Sequence, residues 1–451
     1  MLTTFHRMLL AAAFCVFFTI FLLRFSLQVE DAVPQLPTTQ DELFPYDIYE
    51  NQSVAIPLSS SFEETPTPEG WRFHPARDAR NYGLNEEQCD WTFPNLWIEL
   101  ENAARVRRNK GNVTKEDLDI TWRDDAITRC MIYDHQLYIL ETRGTTHRRD
   151  YRERTLAVLH NMHRAITSYN GPLPNIEFAF SVDDWVYSDI KQDYDHIIWG
   201  FTRQPEWPDV WLMPDFGYWS WPTDPVGAYQ DVRNQMGVRE KTQAFSEKKP
   251  KVVWRGAAMT DQRKQLIKQW GQKSWSDIVA LDWNDPDVEE KFVIMPDHCQ
   301  WQYVLHTEGR SYSGRLKYLQ NCHSVPIIPQ MHWIEPHHKL LIDQGPAMNY
   351  IPVKFDFSDL GEKVEYYMDH PDEAERIADN SVAMFRDKYL TPAAQACYWR
   401  KLFRMWRDVS FEPELSEDYG KPRGIPFETY ALLDIYDSNP WRDTEPAPTS
   451  K

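Results

Sequence analysis

Basic residues are scarce in this chain of 451 amino acids. Lysine and arginine together number 49, against 68 aspartates and glutamates, which leaves a formal net charge of −19. This excess of negative charge argues against nucleic acid or an anionic membrane surface as the main partner, because both would repel the protein. Any cluster of arginines is therefore a locally basic region in an otherwise acidic protein.

Cysteine is also sparse, with six residues. No Cys-x-x-Cys pair and no cysteine–histidine spacing of the zinc-binding kind occurs. Cys15 lies in an apolar N-terminal segment, and the five that remain are an odd number, so one thiol is free or pairs between chains. His332, His337 and His338 stand beside Trp333 without a matching carboxylate or thiol pattern, and we expect no metal there.

The N-terminus predicts a membrane anchor. Met8–Leu23 carries no charge, and Phe25–Leu27 extends the apolar run to about 20 residues, the length that a bilayer requires. No small-residue cleavage site follows Arg24, so we favour an uncleaved signal anchor over a cleaved signal peptide. We therefore expect a cytoplasmic tail and anchor over residues 1–27 and a lumenal body after them. No KDEL-type signal ends the chain, and we expect a single-pass type II protein of the Golgi, or else the endoplasmic reticulum, membrane.

Residues 28–70 are rich in proline, threonine, serine and acids, which is typical of a stem between a membrane and a folded body. Glycosylation sequons at Asn51 and Asn112 fit a lumenal location. The hydrophobic content of 42%, with 19 tryptophans and 22 tyrosines, excludes a mainly disordered protein. The length allows about two or three domains.

The stretch Cys299–Gln330 predicts a strand, a glycine-bounded loop, a short helix and a second strand. A loop that enters a helix offers free backbone N–H groups and the positive end of the helix dipole, which suit an anion such as a diphosphate. Arg310 and Arg315 bracket this loop, and each guanidinium can grip two phosphate oxygens at once. An ordinary strand–helix–strand crossover with surface arginines is the alternative interpretation.

A second unit repeats this design. Val252–Trp254 predicts a strand that ends at the loop Arg255–Ala258, and the helix that follows carries Arg263. Two such units suggest a Rossmann-like nucleotide-binding domain, although neither has the GxGxxG fingerprint of dinucleotide sites. The polar segment Arg239–Lys251 reads as a linker between an N-terminal domain (71–240) and this C-terminal domain (241–410).

Helical spacing also extends over Val364–Met384 and Ala394–Trp406, whereas residues 411–451 show no periodicity and predict an irregular or loose tail.

In the N-terminal half, Ile176–Ser181 predicts a strand that runs into Asp183 and Asp184. Ligands in open α/β sheets lie beyond the carboxyl ends of strands, so these carboxylates are candidate catalytic groups, with a turn cap as the alternative. The aromatic run Phe216–Pro222 includes Trp221. It can be core, or it can offer flat rings on which sugars stack.

Six segments in order now resemble one family, glycosyltransferase family 90, the capsule-associated and lipopolysaccharide-modifying family that includes the protein O-glucosyltransferases. The resemblance covers about Phe178–Trp406. The matching segments are Phe180–Asp184, Val253–Gly256, Asp297–Cys299, Gly309–Lys317, Tyr350–Lys354 and Cys397–Trp399.

The resemblance implies an α/β fold of the GT-B type, with two facing Rossmann-like domains, a UDP-sugar donor, inversion at the anomeric carbon and no required metal or other cofactor. The family's catalytic base falls on Asp184, its aromatic acceptor-side segment on Phe216–Trp221, and its disulfide across the diphosphate-binding unit on Cys299 and Cys322. Cys397 then pairs with Cys89 or Cys130. The implied donor contacts are Arg255, Gly256, Ala257, Arg263, Arg310, Ser311, Tyr312, Ser313, Gly314 and Arg315.

Two departures from the protein O-glucosyltransferases leave the sugar open between xylose and glucose. Ala257 replaces a serine that contacts the donor, and Arg310–Gly314 replaces a run of smaller apolar residues. The acceptor is a hydroxyl of a polysaccharide, a glycolipid or a protein.

Two alternatives to this function differ in their site. A metal-dependent transferase would use an Asp-x-Asp motif, and such tripeptides occur at Asp117, Asp193 and Asp285, as expected by chance in so acidic a chain. A catalytically silent lumenal carbohydrate-binding protein would keep the aromatic run without needing Asp184 and the arginines. Their joint presence favours the enzyme.

Overall fold

The computed structural model describes residues 70–145, 149–186, 196–223, 225–417 and 421–433. The expected anchor, most of the stem and the sequon at Asn51 lie outside these ranges. No helix within them is long and apolar enough to cross a bilayer. The second sequon residue, Asn112, is solvent-exposed.

The described chain is a mixed α/β structure, as predicted, with parallel strands in two sheets. The strands are β1 (Ile127–Tyr133), β2 (Gln136–Arg143), β3 (Ile176–Ser181), β4 (Trp199–Gly200), β5 (Trp211–Leu212), β6 (Ser220–Trp221), β7 (Gly227–Ala228), β8 (Lys249–Gly256), β9 (Ser276–Ala280), β10 (Trp301–Leu305), β11 (Val325–Pro329), β12 (Ile351–Val353), β13 (Ser416–Glu417), β14 (Lys421–Pro422) and β15 (Ile425–Pro426).

The helices surround the two larger sheets. They are α1 (Pro75–Asp78), α2 (Glu86–Thr92), α3 (Ile98–Lys110), α4 (Arg149–Thr167), α5 (Tyr229–Glu240), α6 (Asp261–Trp270), α7 (Val288–Lys291), α8 (Leu316–Leu319), α9 (Leu360–Asp369), α10 (Pro371–Ser381), α11 (Pro392–Arg407) and α12 (Phe427–Leu433), with a π-helical segment at Val382–Tyr389.

The first sheet has the order β15-β2-β1-β3-β4-β5. β1 pairs antiparallel with β2 and β3, whereas β3, β4 and β5 run parallel. The β1–β2 hairpin turns through Asp134 and His135, which both adopt positive φ (47° and 61°). This is the backbone of a tight turn whose twist matches that of the flanking strands.

Aromatic side chains form the core between this sheet and helices α4 and α11. Trp199, Trp211 and Trp406 are fully buried, and the ring of Trp199 stacks on Phe178 at 3.9 Å between centroids. The indole N–H of Trp406 donates to the carbonyl oxygen of Glu177 in β3 (2.9 Å). Burying each such side chain contributes about 1.5–3 kcal/mol, so α11 is an integral part of this layer.

The second sheet is parallel throughout, in the order β12-β11-β10-β8-β9. All its strands fall within residues 249–353. Along the chain, helix α6 lies between β8 and β9, α8 lies between β10 and β11, and α10 follows β12. The strands predicted around Val252–Trp254 and Tyr303–Leu305 are observed. In a parallel sheet the carboxyl ends of the strands meet at one edge, and here that edge carries the loops after β8 and β10.

Two predictions of local structure are wrong. The helix expected over Val364–Met384 is broken at His370, which has a non-helical backbone (φ −124°, ψ 64°) because Pro371 follows it. The tail expected to be irregular instead contributes β15, which pairs with β2, and the helix α12.

Two disulfides are present among the described residues. Cys299 is bonded to Cys322, the pair that the family resemblance implied, and Cys89 is bonded to Cys397. Cys130 is therefore the cysteine left as a buried free thiol among the described residues.

Candidate active site

The turn after β8 places Arg263 at the carboxyl edge of the parallel sheet. The hydroxyl oxygen of Thr260 caps α6 by accepting a hydrogen bond from the Arg263 backbone N–H (3.4 Å). The side chain of Arg263 donates from Nε to the Thr307 hydroxyl (3.1 Å) and to the Glu308 carbonyl oxygen (2.8 Å). Arg263 is 5% exposed, so its guanidinium is held in place and largely removed from water.

Arg315 reaches the same edge from the loop before α8. Its Nη1 donates to the carbonyl oxygen of Arg255 in β8. A Cβ atom at Gly256 would lie 2.9 Å from the Trp254 ring and 3.3 Å from Arg315 Nη2, so this approach favours glycine. Burial lowers the pKa of Arg263 and of Arg315 to about 10, and the positive charge of Arg263 adds to the effect on Arg315.

Neither arginine has an acidic partner among the residues that the structure describes. Within the described ranges, no carboxylate oxygen lies within 4.0 Å of a guanidinium nitrogen of Arg263 or Arg315. Charged side chains that are buried in proteins are normally paired. Two neighbouring unpaired guanidiniums at the strand ends of a parallel sheet are therefore suited to a ligand with adjacent negative charges, such as a diphosphate.

The other residues expected on the donor side occupy different environments. The Arg255 side chain points away from this edge, because Nη2 pairs with Asp277 (2.8 Å) and Nε donates to the Lys291 carbonyl oxygen (2.8 Å). The Ala257 carbonyl oxygen accepts from Arg263 Nη1 (3.2 Å).

Within the loop itself, Arg310 is exposed, Ser311 and Gly314 are buried, and Ser313 is half-buried. A Cβ atom at Gly309 would lie 3.2 Å from the Tyr312 carbonyl oxygen and 3.6 Å from Arg263 Nη2. The loop therefore packs directly over the buried arginine.

Asp184 lies three residues beyond β3 and faces α4. Its Oδ1 accepts a hydrogen bond from Arg154 Nη1 at 2.9 Å, and its side chain is 48% exposed. Partial removal from water raises the pKa of the Asp184 carboxyl, Arg154 opposes this change, and the negative charges of Asp183 and Asp215 reinforce it. A carboxylate with a raised pKa and open access is suited to accept a proton.

Asp183 has a different partner from its neighbour. Its Oδ2 is paired with Arg123, which also donates from Nη1 to the Val186 carbonyl oxygen (2.7 Å). The Arg123 side chain is 7% exposed. Asp183 therefore anchors the turn after β3, whereas Asp184 is left accessible.

A buried ion pair that sequence reasoning missed lies next to these groups. Lys317 Nζ is 2.6 Å from Asp215 Oδ2, with side-chain exposures of 0% and 2%. Lys317 also donates to the Gly314 carbonyl oxygen (2.7 Å), and Asp215 Oδ1 accepts from the Gly217 backbone N–H (2.8 Å). The pair thus joins the aromatic segment after β5 to the loop that carries Arg315.

Tyr312 links this ion pair to the Asp184 region. Its hydroxyl donates to Asp215 Oδ2 (3.2 Å). Burial raises the pKa of Tyr312 well above its usual range, and the negative charges of Asp215 and Asp184 add to this change. Arg154 lies over the ring of Phe216 at 4.7 Å. The region around Asp184 and the loop that carries Arg315 therefore meet at the neighbouring residues Asp215 and Phe216: Arg154 contacts Phe216, and Tyr312 and Lys317 contact Asp215.

Trp221 packs beside the Asp215–Lys317 ion pair. Its ring is half-buried, packs edge-on against Phe216 (5.0 Å) and lies 5.9 Å from Lys317 Nζ. A Cβ atom at Gly314 would meet the Trp221 ring at 3.0 Å. The aromatic run therefore serves as packing for the loop, with one half-buried ring beside it.

A group of buried histidines lies near the arginines. Oxygen and nitrogen atoms of Glu335, His337 and His338 lie within 4.8 Å of one another, so this group has the geometry to hold a metal ion. His338 Nε2 is within 3.0 Å of Glu335 Oε2. Burial lowers the pKa of His337 well below its usual range, and the neighbouring side chains of His338, Lys317 and His306 add to this effect.

The Asp-x-Asp tripeptides in the described ranges form local turns. Asp117 accepts a hydrogen bond from the Thr114 backbone N–H (2.7 Å), and Asp285 accepts one from the Asp287 backbone N–H (3.0 Å). The tripeptide at Asp193 lies outside the described residues.

A sequence profile described as "Glycosyl transferase family 90" matches residues 86–420. The chain is 26% identical over 260 residues to a protein of Aedes aegypti named "O-glucosyltransferase rumi homolog", covering 52% of this chain and 61% of that protein. It is 25% identical over 254 residues to human "Protein O-glucosyltransferase 1", covering 51% and 62%.

A bacterial protein is also similar. The chain is 25% identical over 142 residues to "O-glucosyltransferase LpsA" of Dichelobacter nodosus, covering 30% of this chain and 43% of that protein. The matches to the two animal proteins span about three fifths of those proteins' length.

Proposed function

The chain belongs to glycosyltransferase family 90, and from this premise we propose that it transfers a sugar, xylose or glucose, from a UDP-sugar to an acceptor hydroxyl with inversion at the anomeric carbon. The observation that supports this proposal is the pair Arg263, which is buried, and Arg315, which is half-buried, at the carboxyl edge of a parallel sheet, with no acidic partner for either among the described residues. Asp184 stands on the other side of the same network of contacts.

In the proposed mechanism, Asp184 takes the proton from the acceptor hydroxyl as its oxygen attacks the anomeric carbon. The bond between the sugar and the diphosphate breaks, and Arg263 and Arg315 stabilise the negative charge that develops on the departing UDP. No metal or other cofactor is needed, because the two guanidiniums supply the positive charge. We place this reaction between two facing Rossmann-like domains of a GT-B arrangement, one around each of the larger sheets.

Asp184 is proposed to remain ionised through Arg154. The guanidinium donates to its Oδ1, which leaves Oδ2 free for the acceptor. The buried pair Asp215–Lys317 holds the aromatic segment against the loop and so supports the acceptor side, including Trp221.

The names of the animal relatives describe O-glucosyltransferases of proteins, and a protein acceptor is one candidate here. A glycan or glycolipid hydroxyl is equally compatible with the site. Ala257 and the segment Arg310–Gly314 depart from the protein O-glucosyltransferases, which keeps both xylose and glucose as proposed donors. We further propose that the catalytic body lies in the Golgi or endoplasmic reticulum lumen, attached through the N-terminal anchor.

Donor hydrolysis and transfer with a panel of nucleotide sugars test this function. We expect turnover with UDP-xylose or UDP-glucose and unchanged activity in EDTA. Activity that disappears in EDTA and returns with manganese would instead favour an Asp-x-Asp metal site. Binding of sugars without turnover of any nucleotide sugar would favour a carbohydrate-binding protein.

Loss of either Arg263 or Arg315 should weaken donor binding. Arg263→Ala and Arg315→Ala each remove charge-assisted hydrogen bonds to phosphate, worth about 1.5–3 kcal/mol, so UDP affinity measured by calorimetry should fall by about 10-fold or more. Arg310→Ala, which removes an exposed arginine of the same loop, should have a smaller effect. Unchanged UDP affinity in both Arg263→Ala and Arg315→Ala would show that these arginines do not bind the phosphates.

The acid limb of the pH profile should report Asp184. The base must be ionised, so transfer is lost as the pH falls through its pKa, which lies above the usual aspartate range. Arg154→Gln removes the charge that lowers this pKa, and the limb should move to higher pH. Arg164→Gln, on the same helix but paired with Tyr82 and Trp219, should leave the limb unchanged. A limb that does not move in Arg154→Gln would mean that another group titrates.

A further inference from the structure

A cavity of about 430 Å³ lies away from Asp184, Arg263 and Arg315, and no residue of the candidate active site lines it. Its walls include Pro75 and Ala79 from the N-terminal turn, Arg233 from α5, and Arg386 with Asp387 from the π-helical segment. A second hollow of about 240 Å³ shares Ala79, Arg233, Arg386 and Asp387 with it. The combined space is in the range of small-molecule sites.

One face of α5 forms the floor of the second hollow. Gln230, Arg233, Asn234 and Gly237 line it, and their spacing of three, four and seven residues places them on one side of a helix. A Cβ atom at Gly237 would meet nothing within 4 Å, so the floor is open there. The helix therefore presents a polar stripe to the cavity rather than to the core.

The cavity has an excess of positive charge in an acidic protein. Arg80, Arg233 and Arg386 line the two hollows, and Asp387 is the carboxylate among the residues that line them. Asp387 is already paired with Arg386 (2.9 Å). Arg80 is exposed and donates to the Asn234 side-chain oxygen. The lining of the two hollows therefore carries three guanidiniums against one carboxylate.

Arg233 is the fixed member of this group. Its Nε donates to the Asn321 side chain (3.0 Å) and its Nη2 to the Arg386 carbonyl oxygen (2.6 Å). Among the residues that the structure describes, no carboxylate oxygen lies within 4.0 Å of its guanidinium. Burial lowers the pKa of Arg233; Tyr229 and Asp387 oppose this change, and the charges of Arg386 and Arg80 add to it. A guanidinium held in this way is positioned in advance for an anion.

The π-helical segment gives the cavity its third wall. It spans Val382–Tyr389, directly after α10, and holds Arg386 and Asp387 at the cavity. Such segments are rare and often occur at functional sites, because the extra residue per turn redirects side chains.

We propose that this cavity is a second ligand site, which binds an oxyanion (a carboxylate, sulfate or phosphate) on a ligand the size of a sugar unit. Arg233 and Arg386 hold the anion from within, and Arg80 closes over it from the exposed side. The site does not depend on the proposed transfer reaction, because it shares no residue with the candidate active site.

Calorimetric titration of the full-length chain with glucuronate, and separately with glucose, tests the site. These two sugars differ in the carboxylate, so we expect binding of glucuronate without binding of glucose. Inorganic phosphate forms a third arm, and its affinity relative to glucuronate shows whether a phosphate or a carboxylate is preferred. Failure of the chain to bind either anion would overturn the proposal.

Substitutions of single arginines show where the anion binds. Arg80→Gln and Arg386→Gln should each weaken anion binding by about 10-fold or more, the loss expected for a charge-assisted hydrogen bond. Arg105→Gln is the matched control, since Arg105 is also exposed and also donates to an asparagine, Asn102 (2.9 Å), away from the cavity. Arg315→Ala should leave glucuronate binding unchanged. Binding that is lost in Arg315→Ala but kept in Arg80→Gln and Arg386→Gln would assign the anion to the donor site instead.

Discussion

Asp184→Asn is expected to lower sugar transfer by about 10²–10⁴-fold, the usual contribution of a general base, while UDP binding persists. The amide preserves the size of the side chain and can still accept the hydrogen bond from Arg154, but it cannot take the proton from an acceptor hydroxyl. Transfer measured at saturating donor, together with UDP affinity measured by calorimetry, separates this loss from a loss of binding.

Asp183→Asn is the matched control for that experiment. Asp183 is paired with the buried Arg123, so its amide variant should be less stable than the wild-type protein yet lose much less transfer activity per folded molecule. Near wild-type turnover in Asp184→Asn, with a collapse in Asp183→Asn, would exchange the roles of the two residues.

Lys317→Met is expected to produce the largest loss of stability. It leaves the Asp215 carboxylate, which is 2% exposed at its side chain, without the cation that neutralises it. Removal of one partner from a buried ion pair costs about 3–5 kcal/mol, which should appear as a lower urea midpoint. The double variant Lys317→Met with Asp215→Asn should recover much of this loss, because the buried charge is then absent.

An exposed pair provides the comparison for Lys317→Met. Lys264 and Asp261 form an ion pair in which the side chains are 62% and 90% exposed. Lys264→Met should therefore change the free energy of unfolding by about 0–1 kcal/mol. Equal effects of the two lysine substitutions would contradict the role assigned to the buried pair.

The sequence was sufficient to predict the elements whose residues lie close together along the chain. The apolar runs of β8, β10 and β11 and the glycine-bounded loop before α8 were predicted because strand and turn patterns extend over only a few residues. The approach of Arg263 to Arg315 could be predicted in outline, because the carboxyl ends of parallel strands share one edge. The α/β fold itself was predicted because strands and helices alternate along these segments.

The contacts that depend on distant residues could not be predicted in this way. Asp215 and Lys317 are 102 residues apart and occur in unrelated local patterns, so no period in the sequence relates them. One signal was present: Asp215 follows β5 by three residues, as Asp184 follows β3, and β3, β4 and β5 run parallel. The rule applied to Asp184 would have selected Asp215 as well.

The orientation of the Arg255 side chain also could not be predicted from the sequence. The family resemblance implied a donor contact, but neighbouring residues of a strand alternate between faces, and the face to which Arg255 points was undetermined until the pairing with β9 was known. In the structure its guanidinium pairs with Asp277 on β9. Its carbonyl oxygen, rather than its side chain, meets Arg315.

The bond between Cys89 and Cys397 affects how the chain must mature during its synthesis. The two cysteines are 308 residues apart, so at about 5–20 residues per second Cys89 waits roughly 15–60 s before its partner exists. During that interval the ribosome has already delivered Cys130, which remains unbonded in the native protein. A chain that stops before Pro392 lacks Cys397 and can form neither this bond nor the core layer that α11 completes.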